Sequence, residues 1–201
     1  DLVNGEDGIA LVLDVKDDVP TVEGDATAEA KQLNEEELGG EAAPSVEGNI
    51  STLTNVDWGA DEFAAATKVV IGSTEFEVGK TIYISQSHDA IDSDVLASST
   101  QGANDRATLI VNADGSYTFT LLDNFLLSNP DSNINPNAQT DTISTLLGGV
   151  SVQATDQDGD LVNGEDGIAL VLDVKDDVPT VEGDATAEAK QLNEEELGGE
   201  A

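Results

Sequence analysis

Hydrophobic and polar residues alternate over several short stretches of this chain, and a period of two predicts β-strands. The clearest example is Val150, Val152 and Ala154, which alternate with polar residues. The predicted strands cover residues 8–16, 49–56, 68–71, 75–78, 81–85, 107–112, 116–122, 149–155 and 167–175. Many short strands separated by polar turns, with little helix, favour an all-β fold built as an antiparallel β-sandwich.

The best hairpin is predicted between residues 107–112 and 116–122, because their short connection, Ala-Asp-Gly, is typical of a tight turn. On the second of these strands, Tyr117, Phe119 and Leu121 share one face. We predict that these three side chains lie in the core.

A second hairpin, between residues 149–155 and 167–175, is predicted to close the sandwich. Residues 8–16 have the same sequence as 167–175, so either copy could pair there. We expect the second copy to pair, because its short tether gives the smaller loop-closure cost. The other segments predict an extended strand at 21–38 with a helical turn at 33–38, loops at 39–48, 87–105 and 123–139, and either strand or helix at 140–147.

Residues 160–201 repeat residues 1–42 letter for letter, with an offset of 159 positions. Identity of this length is the signature of a tandem array, and 159 residues is the size of one ordinary domain. Proline cannot continue a β-ladder, so Pro20 and Pro179 predict linkers at the unit boundaries. The predicted organisation is the final strand of a preceding repeat at 1–19, one complete repeat at 20–178, and the start of the next repeat at 179–201.

Charge narrows the choice of partners. The chain has 42 acidic and 7 basic residues, a formal net charge of -35, which argues against nucleic acid and anionic membrane surfaces and favours a cation. It has no cysteine, so disulfides and thiolate metal sites are ruled out. No apolar run is long enough to cross a bilayer, and we predict no membrane insertion.

Acidic residues concentrate in the repeated segment and in the loop before it. Two carboxylates about 5 Å apart repel by roughly 3 kcal/mol at an effective dielectric constant near 20, so a crowded acidic loop favours a bound cation. Asp156, Asp158 and Asp160 alternate in such a loop, and Ca²⁺ takes about six to eight oxygen ligands. The loop is not an EF-hand, because Leu161 stands where that motif has glycine. The alternative is an acidic turn that contributes only solubility.

Further calcium ligands are predicted near the repeat junction, where Asp176 and Asp177 follow the last strand. We predict that they share calcium with acids of the loop at 156–166, against the alternative of strand-ending charges beside a proline. The full set of candidate metal ligands is Asp17, Asp18, Asp57, Asp61, Asp156, Asp158, Asp160, Asp166, Asp176 and Asp177.

Two other acidic groups have weaker or no indications of metal binding. Asp57 and Asp61 flank Trp58, and a metal site is as consistent with this pattern as a turn in which Trp58 covers the core. Residues 35–37 and Glu41 are predicted to form a solvated face.

Catalytic chemistry has no support in the sequence. His88 is the single histidine, there is no cysteine, and no serine or threonine has a recognisable base partner. A zinc site or a catalytic triad is therefore not expected, and we predict that the protein is not an enzyme.

Three segments together resemble the immunoglobulin-like tandem repeats of large bacterial RTX adhesins, which are exported by type I secretion. They are residues 112–122 (NADGSYTFTLL), 150–160 (VSVQATDQDGD) and 174–179 (VKDDVP). The resemblance implies an immunoglobulin-like antiparallel β-sandwich in a tandem array, with calcium as the bound ion and neighbouring repeats of the same polypeptide as partners. It also implies an extracellular location on the bacterial surface, as a stalk that holds an adhesive tip away from the cell and serves adhesion and biofilm formation.

The chain departs from that family in two respects. It is longer than a minimal immunoglobulin-like unit, and it lacks the Gly-Gly-x-Gly-x-Asp nonapeptides found near the secretion end of such proteins. The alternative function is a carbohydrate- or surface-binding module that uses the predicted loops at 86–105 and 123–141. Letter-for-letter repetition favours the stalk, because a stalk needs many equivalent units, and we expect no ligand for a single unit.

Overall fold

The computed structural model describes residues 13, 16–87, 95–126 and 140–175. Within these residues the chain is mostly β-structure with one short helix, so the predicted all-β class is confirmed. The strands are β1 (Thr21–Val22), β2 (Lys31–Asn34), β3 (Ser45–Asn49), β4 (Val56–Asp57), β5 (Phe63–Ile71), β6 (Thr74–Glu77), β7 (Thr81–Gln86), β8 (Val95–Ser98), β9 (Asp105–Val111), β10 (Ser116–Leu121), β11 (Thr140–Thr142), β12 (Val150–Asp156), β13 (Ile168–Ala169) and β14 (Leu172–Lys175). The helix, α1, is Ile143–Leu146.

The described strands form four sheets. The largest has the order β3-β10-β9-β7-β8, and the second has the order β13-β12-β5-β6. The third has the order β11-β14-β2, and β1 pairs with β4 alone. Among the described pairs β14 and β2 are parallel, whereas the others are antiparallel. One hydrophobic core takes side chains from all four sheets, including Phe119, Val152, Leu172 and Val56.

The predicted hairpin between β9 and β10 is confirmed. The Asp114 carboxylate accepts hydrogen bonds from the Ser116 hydroxyl at 2.6 Å and from its backbone N–H at 3.0 Å. These bonds from Ser116 lower the pKa of the Asp114 carboxyl below its ordinary value. Gly115 has φ +83, the left-handed conformation that glycine adopts without strain, so this turn chemistry fixes the hairpin register.

The side chains of Tyr117, Phe119 and Leu121 are buried as predicted. Tyr117 pairs across the strands with Gly48, where a Cβ atom would stand 2.3 Å from the Tyr117 ring. The glycine therefore leaves room for the ring. The predicted loop at 39–48 is wrong from residue 45 onward, because Gly48 marks a packing requirement within β3 and not a break.

Residues 49–56 were predicted to form a strand, and this prediction is wrong for most of the segment. Residues Ile50–Thr52 form a 3₁₀ turn in which the Asn49 side chain accepts a hydrogen bond from the Ser51 N–H at 2.8 Å. Ile50 and Val56 are nevertheless buried. Local side-chain capping has replaced the strand without moving the apolar residues out of the core.

The predicted long loop at 87–105 is also wrong in part. Residues Val95–Ser98 form β8, which pairs antiparallel with β7 at the edge of the largest sheet. Residues 88–94, including His88, and the greater part of the predicted loop at 123–139 lie outside the described residues. The ambiguous segment 140–147 contains both β11 and α1.

The second predicted hairpin forms, but its last strand is divided between two sheets. β13 pairs with β12, whereas β14 pairs with β11 and β2. Ile168, Leu170, Leu172 and Val174 are all buried, so one apolar face follows the core from one sheet to the next. The second copy therefore pairs with β12, as expected. Of the matching residues 8–16, only Leu13 and Lys16 lie within the described residues, and both are exposed.

Strand direction places Asp156 and Lys175 at opposite ends of the described structure. β12 runs toward Asp156, and β13 runs antiparallel to it before the chain continues to Lys175 at the end of β14. At about 3.3 Å per residue, Lys175 is displaced from the Asp156 end by on the order of 30 Å. We call the end with Asp156 the linker end, because residues 17–20 also lie there.

Candidate metal centre

The segment before β1 is attached to the linker end of the unit that follows it. β1 pairs with β4, and the Glu23 N–H donates to the Asn55 carbonyl at 2.9 Å. Pro20, the predicted boundary residue, is buried. Contacts with the complete unit therefore begin before the proline, at Asp17 and Asp18.

Asp18 lies against the turn that follows Trp58. Its Oδ2 accepts a hydrogen bond from the Ala60 N–H at 2.7 Å. Trp58 is buried and packs edge-on against Phe63, with 5.0 Å between ring centroids and an interplanar angle of 83°. An edge-to-face aromatic pair of this kind fixes the turn on the core.

The predicted ligands Asp57 and Asp61 have different surroundings. The Asp57 Oδ1 accepts a hydrogen bond from the Gly59 N–H at 3.0 Å, which is the local pairing of an Asx turn. Asp61 ends the short 3₁₀ turn Gly59–Asp61. Neither belongs to the three-acid group described below, and Trp58 covers the core as the alternative interpretation proposed.

The loop after β12 is braced by its first acidic residue. Asp156 is 1% exposed, and its Oδ1 accepts hydrogen bonds from the Gly159 N–H at 3.0 Å and the Asp160 N–H at 2.8 Å. Gly159 has φ +104, so the tight turn requires glycine there. The other carboxylate oxygen, Oδ2, is buried and has no hydrogen-bond partner among the described residues. Asp173 Oδ1 is in the same state among the described residues, so an unpartnered oxygen is not peculiar to this loop.

The carboxylates of Asp17, Asp158 and Asp160 converge at this loop. Each offers one oxygen, and these oxygens all lie within 4.8 Å of one another. Asp17 and Asp158 are exposed and Asp160 is partly buried. Within the described ranges, no other group of three acidic or histidine side chains meets in this way. The group could hold a metal ion.

The donor set fits a hard divalent cation. Ca²⁺ bonds to oxygen at about 2.3–2.6 Å, so two oxygens on one ion lie no more than about 5 Å apart. The separations in the group satisfy this limit. Backbone carbonyls and water would supply the remaining ligands of a shell of about six to eight. The bound ion would offset the mutual repulsion of three carboxylates, which solvent screens only in part.

The structure distributes the other predicted ligands differently. Asp166 is exposed and lies outside the group. Asp176 and Asp177 lie outside the described residues, so their predicted sharing of calcium with residues 156–166 stays a prediction. The loop receives Asp17, the counterpart of Asp176 in the first copy. The identity of residues 1–42 and 160–201 could have indicated this arrangement, because it makes Asp17 as good a candidate ligand as Asp176.

Sequence reasoning also missed a buried acid. Glu35, predicted to lie on a solvated face, is 2% exposed, and its Oε1 accepts a hydrogen bond from the Phe125 N–H at 2.7 Å. The prediction is wrong for Glu35, because the end of β2 places Glu35 against the segment that follows β10. It is confirmed for Glu36, Glu37 and Glu41, which are exposed.

The chain matches no protein-family model and no curated protein sequence. Among the helices of the described residues, none has the length and apolar character needed to cross a membrane.

Proposed function

We propose that this protein is a calcium-stabilised extender, one unit of the stalk of a bacterial surface adhesin. The observation that carries the proposal is the meeting of Asp17 with Asp158 and Asp160. In the repeat, Asp17 belongs to the linker after a preceding unit, whereas the other two belong to the complete unit. A cation bound by all three would join two successive units.

The position of the linkers supports the same proposal. The chain joins the unit at one end and leaves β14 on the order of 30 Å away, so successive units extend the array instead of folding back on it. The finer fold we propose is an immunoglobulin-like β-sandwich, in which the two largest sheets pack across the common core.

Calcium is the proposed ion because the donors are all carboxylates and the site lies in a loop. A flexible shell of many oxygens suits Ca²⁺ better than Mg²⁺, which demands near-octahedral geometry. The proposed partners are neighbouring repeats, the proposed location is the outer surface of a bacterial cell, and no catalytic role is proposed. The rival function, a carbohydrate- or surface-binding module, depends on loops that lie in part outside the described residues.

Small-angle scattering on a protein with two complete units tests the proposal. Adding calcium to the chelated protein should increase its maximum dimension, because the ion ties the middle linker to the following unit. Neutralising that linker with Asp176→Asn and Asp177→Asn should remove most of the increase. The matched control is Asp17→Asn with Asp18→Asn, which changes the same residues in the first copy and should leave the middle junction unaffected. Equal extension of all three proteins would contradict the proposal.

A further inference from the structure

The linker contains a second contact that involves no metal. Asp18, next to the proposed calcium ligand Asp17, directs its Oδ2 to the Ala60 N–H at 2.7 Å. A carboxylate that accepts a backbone N–H makes a charge-assisted hydrogen bond, which is stronger than a neutral one. This contact joins residues 42 positions apart in sequence.

The turn is shaped for that carboxylate by Gly59. A Cβ atom at this position would stand 2.5 Å from Asp18 Oδ2, closer than the atoms can approach. Gly59 also has φ +73, and its own N–H is held by Asp57. The turn thus offers the Ala60 N–H to the linker carboxylate, and the lack of a side chain at Gly59 leaves room for that carboxylate.

We infer that the Trp58–Ala60 turn is a docking site for the linker carboxylate of the preceding unit, and that it holds the linker with or without calcium. Because residues 1–42 and 160–201 are identical, Asp177 would dock in the same way on the corresponding turn of the next unit. Each linker is then anchored to the unit that follows it. The inference rests on the tandem arrangement of the proposed function but not on a metal.

Asp17 and Asp18 make two different contacts at a junction. The Asp18 contact fixes where the linker lies on the following unit, whereas Asp17 meets Asp158 and Asp160 on the loop. Chelation should therefore remove the second contact and leave the first. In an array, loss of calcium would loosen the junction without releasing the linker.

Amide hydrogen exchange of Ala60, measured by NMR on the 201-residue chain in chelator, tests the inference. Asp18→Ala should accelerate exchange at Ala60 by about threefold to tenfold, because the hydrogen-bond acceptor is lost. Asp17→Ala and Asp177→Ala should leave the exchange rate of the Ala60 amide unchanged. Unchanged exchange in Asp18→Ala, or acceleration in Asp177→Ala instead, would overturn the inference.

Glycine variants give an independent test. Gly59→Ala and Gly79→Ala introduce the same side chain at φ +73 and φ +75, but a Cβ at Gly79 meets nothing within 4 Å. The two variants should lower the melting temperature similarly through backbone strain. Gly59→Ala alone should displace Asp18, which would appear as increased ps–ns motion of the Val19 and Thr21 amides in ¹⁵N relaxation. Equal relaxation in the two variants would contradict the docking site.

These outcomes are separate from those of the calcium proposal. A chain that binds no calcium but shows the Asp18→Ala effect would refute the metal and keep the docking site. If the chain binds calcium but the Ala60 amide exchanges at the same rate in wild type and in Asp18→Ala, the docking site is refuted and the metal site is kept.

Discussion

The two ends of the described structure differ in the partners of their acidic and polar side chains. Away from the linker end, two buried polar side chains find partners within the chain: Gln86 exchanges two hydrogen bonds with the Leu126 backbone, at 2.9 and 2.6 Å, and Arg106 pairs with Asp123. Asp173 Oδ1 is the exception there, since it is buried and has no hydrogen-bond partner among the described residues. At the linker end, Asp17, Asp158 and Asp160 face one another, and a buried oxygen of Asp156 has no partner among the described residues. The presence of an acidic residue therefore does not by itself identify a metal site. Glu35 is more deeply buried than Asp17, Asp158 or Asp160, and its carboxylate accepts a hydrogen bond from the Phe125 backbone N–H.

The largest expected effect is the loss of calcium stabilisation at the linker end. If wild type binds calcium, saturation at about 1,000 times the dissociation constant should raise the free energy of unfolding by about 4 kcal/mol. Asp158→Asn with Asp160→Asn should lose most of this gain, and in chelator it should be slightly more stable than wild type, because repulsion has been removed. Urea denaturation in both conditions measures this, with Asp166→Asn as the matched control. A double variant that is destabilised in chelator would contradict the comparison.

A smaller, calcium-independent effect is expected away from the linker end. Glu35→Ala leaves the Phe125 N–H without its acceptor and opens a cavity, so it should lower the free energy of unfolding by about 2–4 kcal/mol. The loss should be the same with calcium and with chelator. Glu36→Ala, at an exposed neighbouring position, should change stability by no more than about 0.5 kcal/mol. A Glu35→Ala loss that depended on calcium would show that the two ends are not independent.

The smallest effect concerns Tyr117, whose burial, together with the charge of Glu29, raises the pKa of its hydroxyl above the ordinary value. Above about pH 10 the hydroxyl ionises in the unfolded chain while the folded chain keeps its proton. The free energy of unfolding should therefore fall as the pH rises past about 10, by at most about 1.4 kcal/mol per pH unit from this group. Tyr117→Phe should remove that part of the decline in alkaline denaturation. An equally steep decline in the variant would exclude Tyr117 as its source.

The sequence predicted the parts of the fold that depend on local patterns. β9, β10 and β12 show clean alternation, and the turn chemistry of Asp114 and Gly115 fixes the hairpin. In the segment 21–38 the structure has two short strands, β1 and β2, in place of one extended strand, and the predicted helical turn forms as the 3₁₀ turn Glu35–Glu37. The parallel pairing of β2 with β14 could not be predicted, because β14 lies in a distant part of the chain. Long-range pairing of this kind leaves little local signal.

The sequence predicted the type of ligand at the candidate site, but it did not predict which acidic residues would meet there. Alternating acids with Gly159 indicated an oxygen-ligand loop, and the loop forms as a tight turn around Asp156. The identity of the third acid could not be read from spacing, because Asp17 is far from the loop in sequence and lies beside it only through the tertiary contacts of β1 with β4 and of Asp18 with Ala60. The burial of Glu35 alone among three successive glutamates also depends on a tertiary contact, its hydrogen bond from the Phe125 N–H, so the sequence gave no indication of it.

Calorimetric titration of calcium into the chelator-treated 201-residue chain tests the central claim most directly: Asp17 joins Asp158 and Asp160 around one cation at the junction. Wild type should show saturable binding, and Asp17→Asn should weaken it by at least about tenfold, since affinity follows the number of charged ligands. Asp176→Asn, the same substitution in the second copy, should leave the isotherm unchanged. No binding in wild type, or weakening by Asp176→Asn and not by Asp17→Asn, would contradict the account.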